Sequence, residues 1–312
     1  MALRRGRRAL GGALRWLPAA LVLLAAFALT GCGGPAHPRA ATVVASTGVW
    51  GSVALAITGR HVPVNAILTE SDTDPHSYAA SPSDAAAITD AALVVYNGGG
   101  YDPWVEQVLA GHAGVQSIGA YSFLKQATAG GQPANEHVFY NLDVAKSVAF
   151  AIADRVAAID PAHAADYRAN AAEFCRGADA IAISEHAIAS AYPGTAVIAT
   201  EPVGHYLLAA SGLVNRTPPA FTAANENETD PSPADMAFVL DLINHRQVAA
   251  VLINPQTSTA AINGLRDAAR RSGVPVTEVS ETLPAGTDYL TWQRNTVNQL
   301  LTALQSGRSV QP

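Results

Sequence analysis

The sequence predicts an α/β protein of two lobes, each a mainly parallel sheet flanked by helices, joined by one long rigid helix. Three observations carry that expectation. Short apolar, β-branched runs alternate with helical patterns on both sides of the chain's middle, which is the rhythm of a parallel sheet. Residues 162–191 form an almost unbroken Ala-rich helical pattern, with Gly177 its one glycine and no proline before Pro193. At 1.5 Å per residue that stretch reaches about 45 Å, longer than one small lobe needs. Finally, His and Glu residues follow apolar runs, where open α/β sheets gather ligands outside the carboxyl ends of their strands.

The first 31 residues stand outside this fold. Arg4, Arg5, Arg7, Arg8 and Arg15 make a basic start, and residues 16–29 are apolar. That run is short for a bilayer span of about 20 residues, and its order is that of a secretory signal. Leu29-Thr30-Gly31-Cys32 resembles the lipobox of bacterial lipoproteins. The resemblance implies that Cys32 is lipidated and begins the mature chain, anchored to the cell membrane on its outer side. A plain signal peptide or an N-terminal anchor helix is the alternative, and the paired arginines leave the export route open. Residues 32–41, with Gly, Pro and His37, read as a flexible tether.

Charge narrows the function classes. The chain carries 19 basic and 25 acidic residues; without the five arginines of the signal it has 14 against 25, about −11. That balance excludes nucleic acid as a partner and mildly favours cations. At 49% hydrophobic and 14% charged, a sizeable core is available for one or two domains. Besides Cys32 only Cys175 remains, so there is no internal disulfide pair. Cys175 lies on a helical pattern in Glu173-Phe174-Cys175-Arg176 and reads as a packed thiol.

In the amino-terminal lobe, residues 42–160, a strand is expected over 42–46 and a helix over 49–58. A second strand over 64–69 leads into Asp74-Pro75-His76-Ser77-Tyr78. A helix starts at Ser81, with Pro82 at its first position and Asp84 near its positive end. The strand over 92–96 closes on Asn97-Gly98-Gly99-Gly100, and Asp102 is the N-cap of a helix that has Pro103 at N1. A strand over 115–119 and a polar loop over 125–136 precede His137 and a helix over 143–159. Residues 161–191 are the linking helix.

Residues 192–312 repeat the rhythm. A strand over 196–200 is followed by Glu201-Pro202, which opens a helix to Ala210. Residues 225–230 read as an acidic loop, and Ser232-Pro233-Ala234-Asp235 resembles a capping-box start for a helix to about His245. Strands over 249–253 and 275–280 flank a helix over 259–272. A last helix covers 288–304, and residues 305–312 fray.

Four residues are candidate metal ligands: His76 in its carboxylate-rich turn, His137 before a helix, Glu201 and Glu281 directly after strands. Each also has a plainer role, as turn histidine, N-cap or exposed turn. His205, four residues after Glu201, shares its helix face and reads as a supporting residue or an alternative ligand. Asp72, Glu226, Glu228 and Asp230 shape an acidic entrance. His61, His112, His163, His186 and His245 fall beside helix ends or on polar faces and read as solvated.

Asp74-Pro75-His76 with Pro82-Ser83-Asp84, the Asn97-Gly98 turn with Tyr101-Asp102 and Trp104 behind it, His137 before a helix, and Tyr206 with Gly212-Leu213 together resemble a known family. It is the zinc/manganese-type (cluster A-I) solute-binding lipoproteins that feed metal to ABC importers, and the resemblance covers essentially the whole mature chain. It implies a two-lobed fold joined by a rigid helix and a monomer that binds one divalent ion, Zn2+ or Mn2+ with Fe2+ also in range, for delivery to a membrane permease. The third ligand of the family's pattern, His or Glu, falls on Glu201. The fourth, usually Asp, falls on Glu281, whose extra methylene moves the carboxylate. The His-rich loop common in zinc members is missing from residues 125–136, which weakens a zinc-scavenging role.

Two other classes compete with a carrier. A secreted metal-dependent hydrolase needs an open coordination position and a general base, and the chain has neither a His-Glu-x-x-His helix nor a nucleophile elbow. An adhesin on the same scaffold is the other. Four protein ligands from two lobes would close the site, which suits a carrier and not an enzyme.

Overall fold

The computed structural model describes residues 41–69, 73–125, 128–129 and 132–308. The expected signal peptide, Cys32, the tether up to residue 40, and Asp72 lie outside the described residues. In the first sheet, β1 (Val43–Thr47) is buried along its whole length and takes an inner place. Around it β2 (Val64–Leu68), β3 (Leu93–Tyr96) and β4 (Ser117–Gly119) pair in the order β2-β1-β3-β4, all parallel. The crossovers run through α1 (Gly48–Thr58), α2 (Pro82–Asp90) and α3 (Pro103–Ala110).

The start of α2 follows the sequence. Ser81 Oγ accepts from the Asp84 backbone N–H at 3.2 Å, and the Asp84 carboxylate accepts from Ser81 N–H at 2.8 Å. Such a reciprocal cap is worth about 1 kcal/mol. Tyr78 donates to the same carboxylate at 2.7 Å, so the cap also pins the chain just after His76.

Asp102 departs from expectation. It occupies the N-cap position of α3 but makes no side-chain bond to that helix. Its carboxylate accepts instead from the backbone N–H groups of Asn97 and Gly98, both at 2.7 Å. Gly98, Gly99 and Gly100 all have positive φ, which folds the loop back so that these buried donors face Asp102, and buried N–H groups must be paired. A Cβ on Gly99 would collide with the Tyr121 ring.

The polar loop after β4 carries a short antiparallel pair, β5 (Thr128–Ala129) and β6 (Gln132–Pro133). Asn141 then caps α4 (Leu142–Ile159), its Oδ1 accepting from Asp143 and Val144 N–H. The linking helix, α5 (Ala164–Ala191), has 28 residues, about 42 Å, and is entered through a 3-10 turn over Pro161–His163.

The second sheet holds β7 (Ala196–Ala199), β8 (Val214–Asn215), β9 (Val251–Ile253) and β10 (Val276–Glu278), parallel in the order β10-β9-β7-β8. Its helices are α6 (His205–Ala210), α7 (Pro219–Glu226), α8 (Pro233–Asn244), α9 (Ala260–Ser272) and α10 (Tyr289–Arg308). Three expectations change here. Glu201-Pro202 opens a 3-10 turn over Pro202–Gly204, with α6 following it. Asn225 and Glu226 are the last residues of α7 and not loop, because Pro219 at N1 starts a short helix there. And α10 continues to Arg308, past the expected end, with Ala303 and Leu304 buried in its last turns.

One hydrophobic core joins the two sheets. It runs from Val43 and Val95 of the first, through Ile181 and Ile188 of α5 and Trp292 of α10, to Val197 and Leu252 of the second. Helix α5 packs on α1 and α4 and also on α6 and α10. Gly177 makes room there: a Cβ on it would stand 2.6 Å from Leu290 Cδ1. Among the described residues, no helix is long and apolar enough to cross a membrane.

Candidate metal centre

His76 follows β2 in a tight turn. Asp74 Oδ1 accepts from both its backbone N–H, at 2.9 Å, and its ring Nδ1, at 3.0 Å. A carboxylate can only accept, so Nδ1 carries a hydrogen and Nε2 is the ring nitrogen left to face the site. Burial works against protonation of His76, but the Asp74 and Glu136 carboxylates outweigh it and raise the imidazole to about 10. The same bond holds the Asp74 carboxyl well below the usual carboxylate range.

His137 is fully buried and repeats the device. Asn135 Oδ1 accepts from its backbone N–H at 3.0 Å and faces its Nδ1 at 3.2 Å. The Asn97 side chain donates to the Glu136 carbonyl at 2.8 Å, so the glycine turn after β3 anchors the chain beside His137. Tyr101 and Phe139 wall the two imidazoles, with ring centroids 4.9–5.7 Å apart.

The carboxylates come from the second sheet. Glu201, directly after β7, is 4% exposed, and its Oε2 accepts from Asn254 Nδ2 at 2.8 Å. Burial pushes its carboxyl up, with bonds from Asn254 and Thr257 opposing. Glu281, beyond β10, places Oε1 3.5 Å from His76 Nδ1 and 3.5 Å from His137 Nε2. Its backbone N–H donates to Gln256 Oε1 at 2.8 Å, and Tyr140 holds the Ser280 carbonyl at 2.7 Å. Glu281 thus meets both imidazoles, and Glu201 lines one small cavity with His76 and Glu281 but stands outside the two close groups, His76–His137–Glu226 and Asp74–His76–Glu281, that could hold an ion. His205 does not join them: it lines a separate cavity of about 830 Å³ with Lys125, Asn135 and Tyr206.

Glu226 is the residue that the sequence assigned elsewhere. As the last residue of α7 it brings Oε1 to 3.6 Å from His137 Nε2 and groups with His76 and His137 as a possible ion site. Burial pushes its carboxyl up to about 7, with His137 opposing. The cue in the sequence was Pro218-Pro219, which starts the short helix that carries Glu226 inward.

The donor set is unusual in one respect. His76 Nε2, His137 Nε2, Glu201 Oε1, Glu226 Oε1 and Glu281 Oε1 are all buried without a hydrogen-bond partner. Leaving such groups unpaired costs about 1–3 kcal/mol each, more if charged. The separations of His137 Nε2 from Glu281 Oε1 and Glu226 Oε1, 3.5 and 3.6 Å, are long for hydrogen bonds, but two atoms each about 2.0–2.2 Å from one tetrahedral ion stand roughly 3.3–3.6 Å apart. The cavity lined by His76, Glu201, Glu226 and Glu281 measures about 50 Å³, room for an ion and far below the ~300 Å³ of organic-ligand pockets.

Imidazoles and carboxylates gathered at so small a cavity define a metal-binding protein. Residues 43–303 match the family described as zinc-uptake complex component A, periplasmic. The chain belongs to that family, whose members are binding components of metal uptake and not enzymes. It is similar to the manganese-binding lipoprotein MntA of Bacillus subtilis (strain 168), 27% identical over 277 residues, 83% of this chain and 86% of MntA. In structure it is similar to the periplasmic zinc binding protein TroA from Treponema pallidum (TM-score 0.71, 18% identity, 85% of this chain and 99% of TroA). The laminin binding protein Lmb of Streptococcus agalactiae, a bifunctional protein with adhesin and metal transporting activity, shares the fold (TM-score 0.71, 21% identity, 85% of this chain and 100% of Lmb).

Proposed function

We propose that this chain captures one divalent transition-metal ion, Zn2+ or Mn2+, at His76, His137, Glu201 and Glu281, with Glu226 as a further carboxylate donor. It then delivers the ion to the membrane permease of an ABC importer. In this reading residues 1–31 are removed as a signal, and Cys32 carries the lipid anchor. Residues 32–41 are the tether, and the lobes at 42–160 and 192–312 act as a monomer around the helix at 161–191. The observation that supports it most is the set of five buried, unpartnered donor atoms, four of them on residues that line one small cavity. The names of MntA and TroA support manganese and zinc as the cargo.

Two imidazoles with carboxylates make a mixed site. Carboxylate oxygen suits manganese and imidazole suits zinc, while the divalent series favours zinc in raw affinity. The purified protein is therefore expected to hold both ions, zinc more tightly. Elemental analysis of protein prepared without chelator, followed by Mn2+/Zn2+ competition, tests this; a metal content well below one ion per chain after loading would overturn it. Detergent phase partitioning tests the anchor: Cys32→Ser is expected to leave the detergent phase and still bind metal.

A further inference from the structure

In the second sheet β9 lies between β10 and β7, so the residue after β9 stands between the strand ends that deliver Glu281 and Glu201. That residue is Asn254, 3% exposed. Its Oδ1 accepts from Gln256 N–H at 3.2 Å, which fixes the amide's orientation and turns Nδ2 toward the carboxylates. Nδ2 donates to Glu201 Oε2 at 2.8 Å and reaches Glu281 Oε2 and Thr257 Oγ1, each at 3.5 Å. In both glutamates the other oxygen, Oε1, is buried and unpartnered.

We propose that the Asn254 amide makes Glu201 monodentate, through Oε1, and thereby sets the coordination number that selects the cargo ion. The proposal rests on the metal-site reading above. Chelation by one carboxylate needs both of its oxygens turned to the ion, and an oxygen directed at an N–H donor is turned away from it. With Glu201 clamped at 2.8 Å, the ion receives one oxygen from it and stays near the low coordination number usual for zinc. Released, Glu201 adds an oxygen and moves the site toward the oxygen-rich, higher coordination that suits manganese. Asn254 is thus a positioning residue, acting on the ion only through that carboxylate.

Infrared difference spectra of the full chain, Zn2+-loaded minus metal-free, read the binding mode directly. A wide gap between antisymmetric and symmetric carboxylate stretches marks monodentate binding, and a narrow gap marks chelation. The wild-type protein is expected to show the wide gap. Asn254→Ala is expected to add a narrow pair and to raise Mn2+ affinity relative to Zn2+ about tenfold, the scale of one hydrogen bond to a charged group. A Zn2+-loaded wild-type protein without any wide-gap pair overturns the clamp even if Asn254→Ala does not fold. So does a folded Asn254→Ala whose gap and Mn2+/Zn2+ ratio are unchanged. Zn2+ that binds without altering any carboxylate band overturns the metal-site reading and the clamp together.

Discussion

Asp74 holds His76 twice, accepting from its backbone N–H at 2.9 Å and from its ring at 3.0 Å, and Asn135 stands in the same relation to His137. In both, an acceptor two residues upstream fixes the ring and leaves Nε2 facing the site. Partners of this kind typically contribute 10–100-fold to metal affinity. Asp74→Ala is therefore expected to weaken Zn2+ binding by about that factor, with Asn135→Ala in the same direction. Calorimetric titration checks it; an Asp74→Ala isotherm matching the wild type would show the ring to be oriented by other contacts.

Metal should stabilise the fold, because only the folded chain assembles the donors. At about a thousandfold its dissociation constant the ion adds roughly 4 kcal/mol, on the order of 10 °C in melting temperature for a chain of this size. Glu201→Ala and Glu281→Ala are each expected to remove most of that shift and Glu226→Ala part of it. His205→Ala should leave it whole. If His205→Ala abolishes the shift while Glu201→Ala preserves it, the third ligand is the imidazole.

Away from the site, Glu185 of α5 is 3% exposed, and its Oε1 has no hydrogen-bond partner. Burial, with the Asp143 carboxylate adding to it, pushes its carboxyl from 4.5 to about 7. Between those values the folded chain keeps a proton that the unfolded chain has lost. This group's contribution to stability is therefore present below about pH 4.5, falls as pH rises toward 7, and is flat above. Glu185→Gln is expected to remove that slope and to stabilise the protein above pH 7 by on the order of 3 kcal/mol. Urea unfolding of both proteins across pH 5–8 decides it, and parallel curves would refute the assignment.

Helix α5 belongs to the shared core and packs on helices of both sheets. Wide hinge bending would have to open that core, so closure on metal should be small and local. Small-angle scattering of metal-free and metal-loaded protein is expected to give nearly the same radius of gyration. A large drop on loading would mean that the core parts and α5 bends.

Local chemistry made much of this protein legible from its sequence alone. The Ser81–Asp84 cap, the long α5, the alternation of strands and helices, and the placing of His76, His137, Glu201 and Glu281 after strands or turns all depend on neighbours a few residues away. Periodicity and capping report on just those neighbours. Tertiary structure alone decided the rest. Asp102 looked like a helix cap and became the acceptor for the Asn97 turn, because three glycines with positive φ folded that turn back onto it. Glu226 looked like part of an acidic rim and became a half-buried carboxylate facing a histidine 89 positions away, because α7 delivers it there. Asn254 carried no signal at all. Its place between two glutamates exists only because β9 pairs between β7 and β10, an order set by long-range packing and invisible to any local pattern.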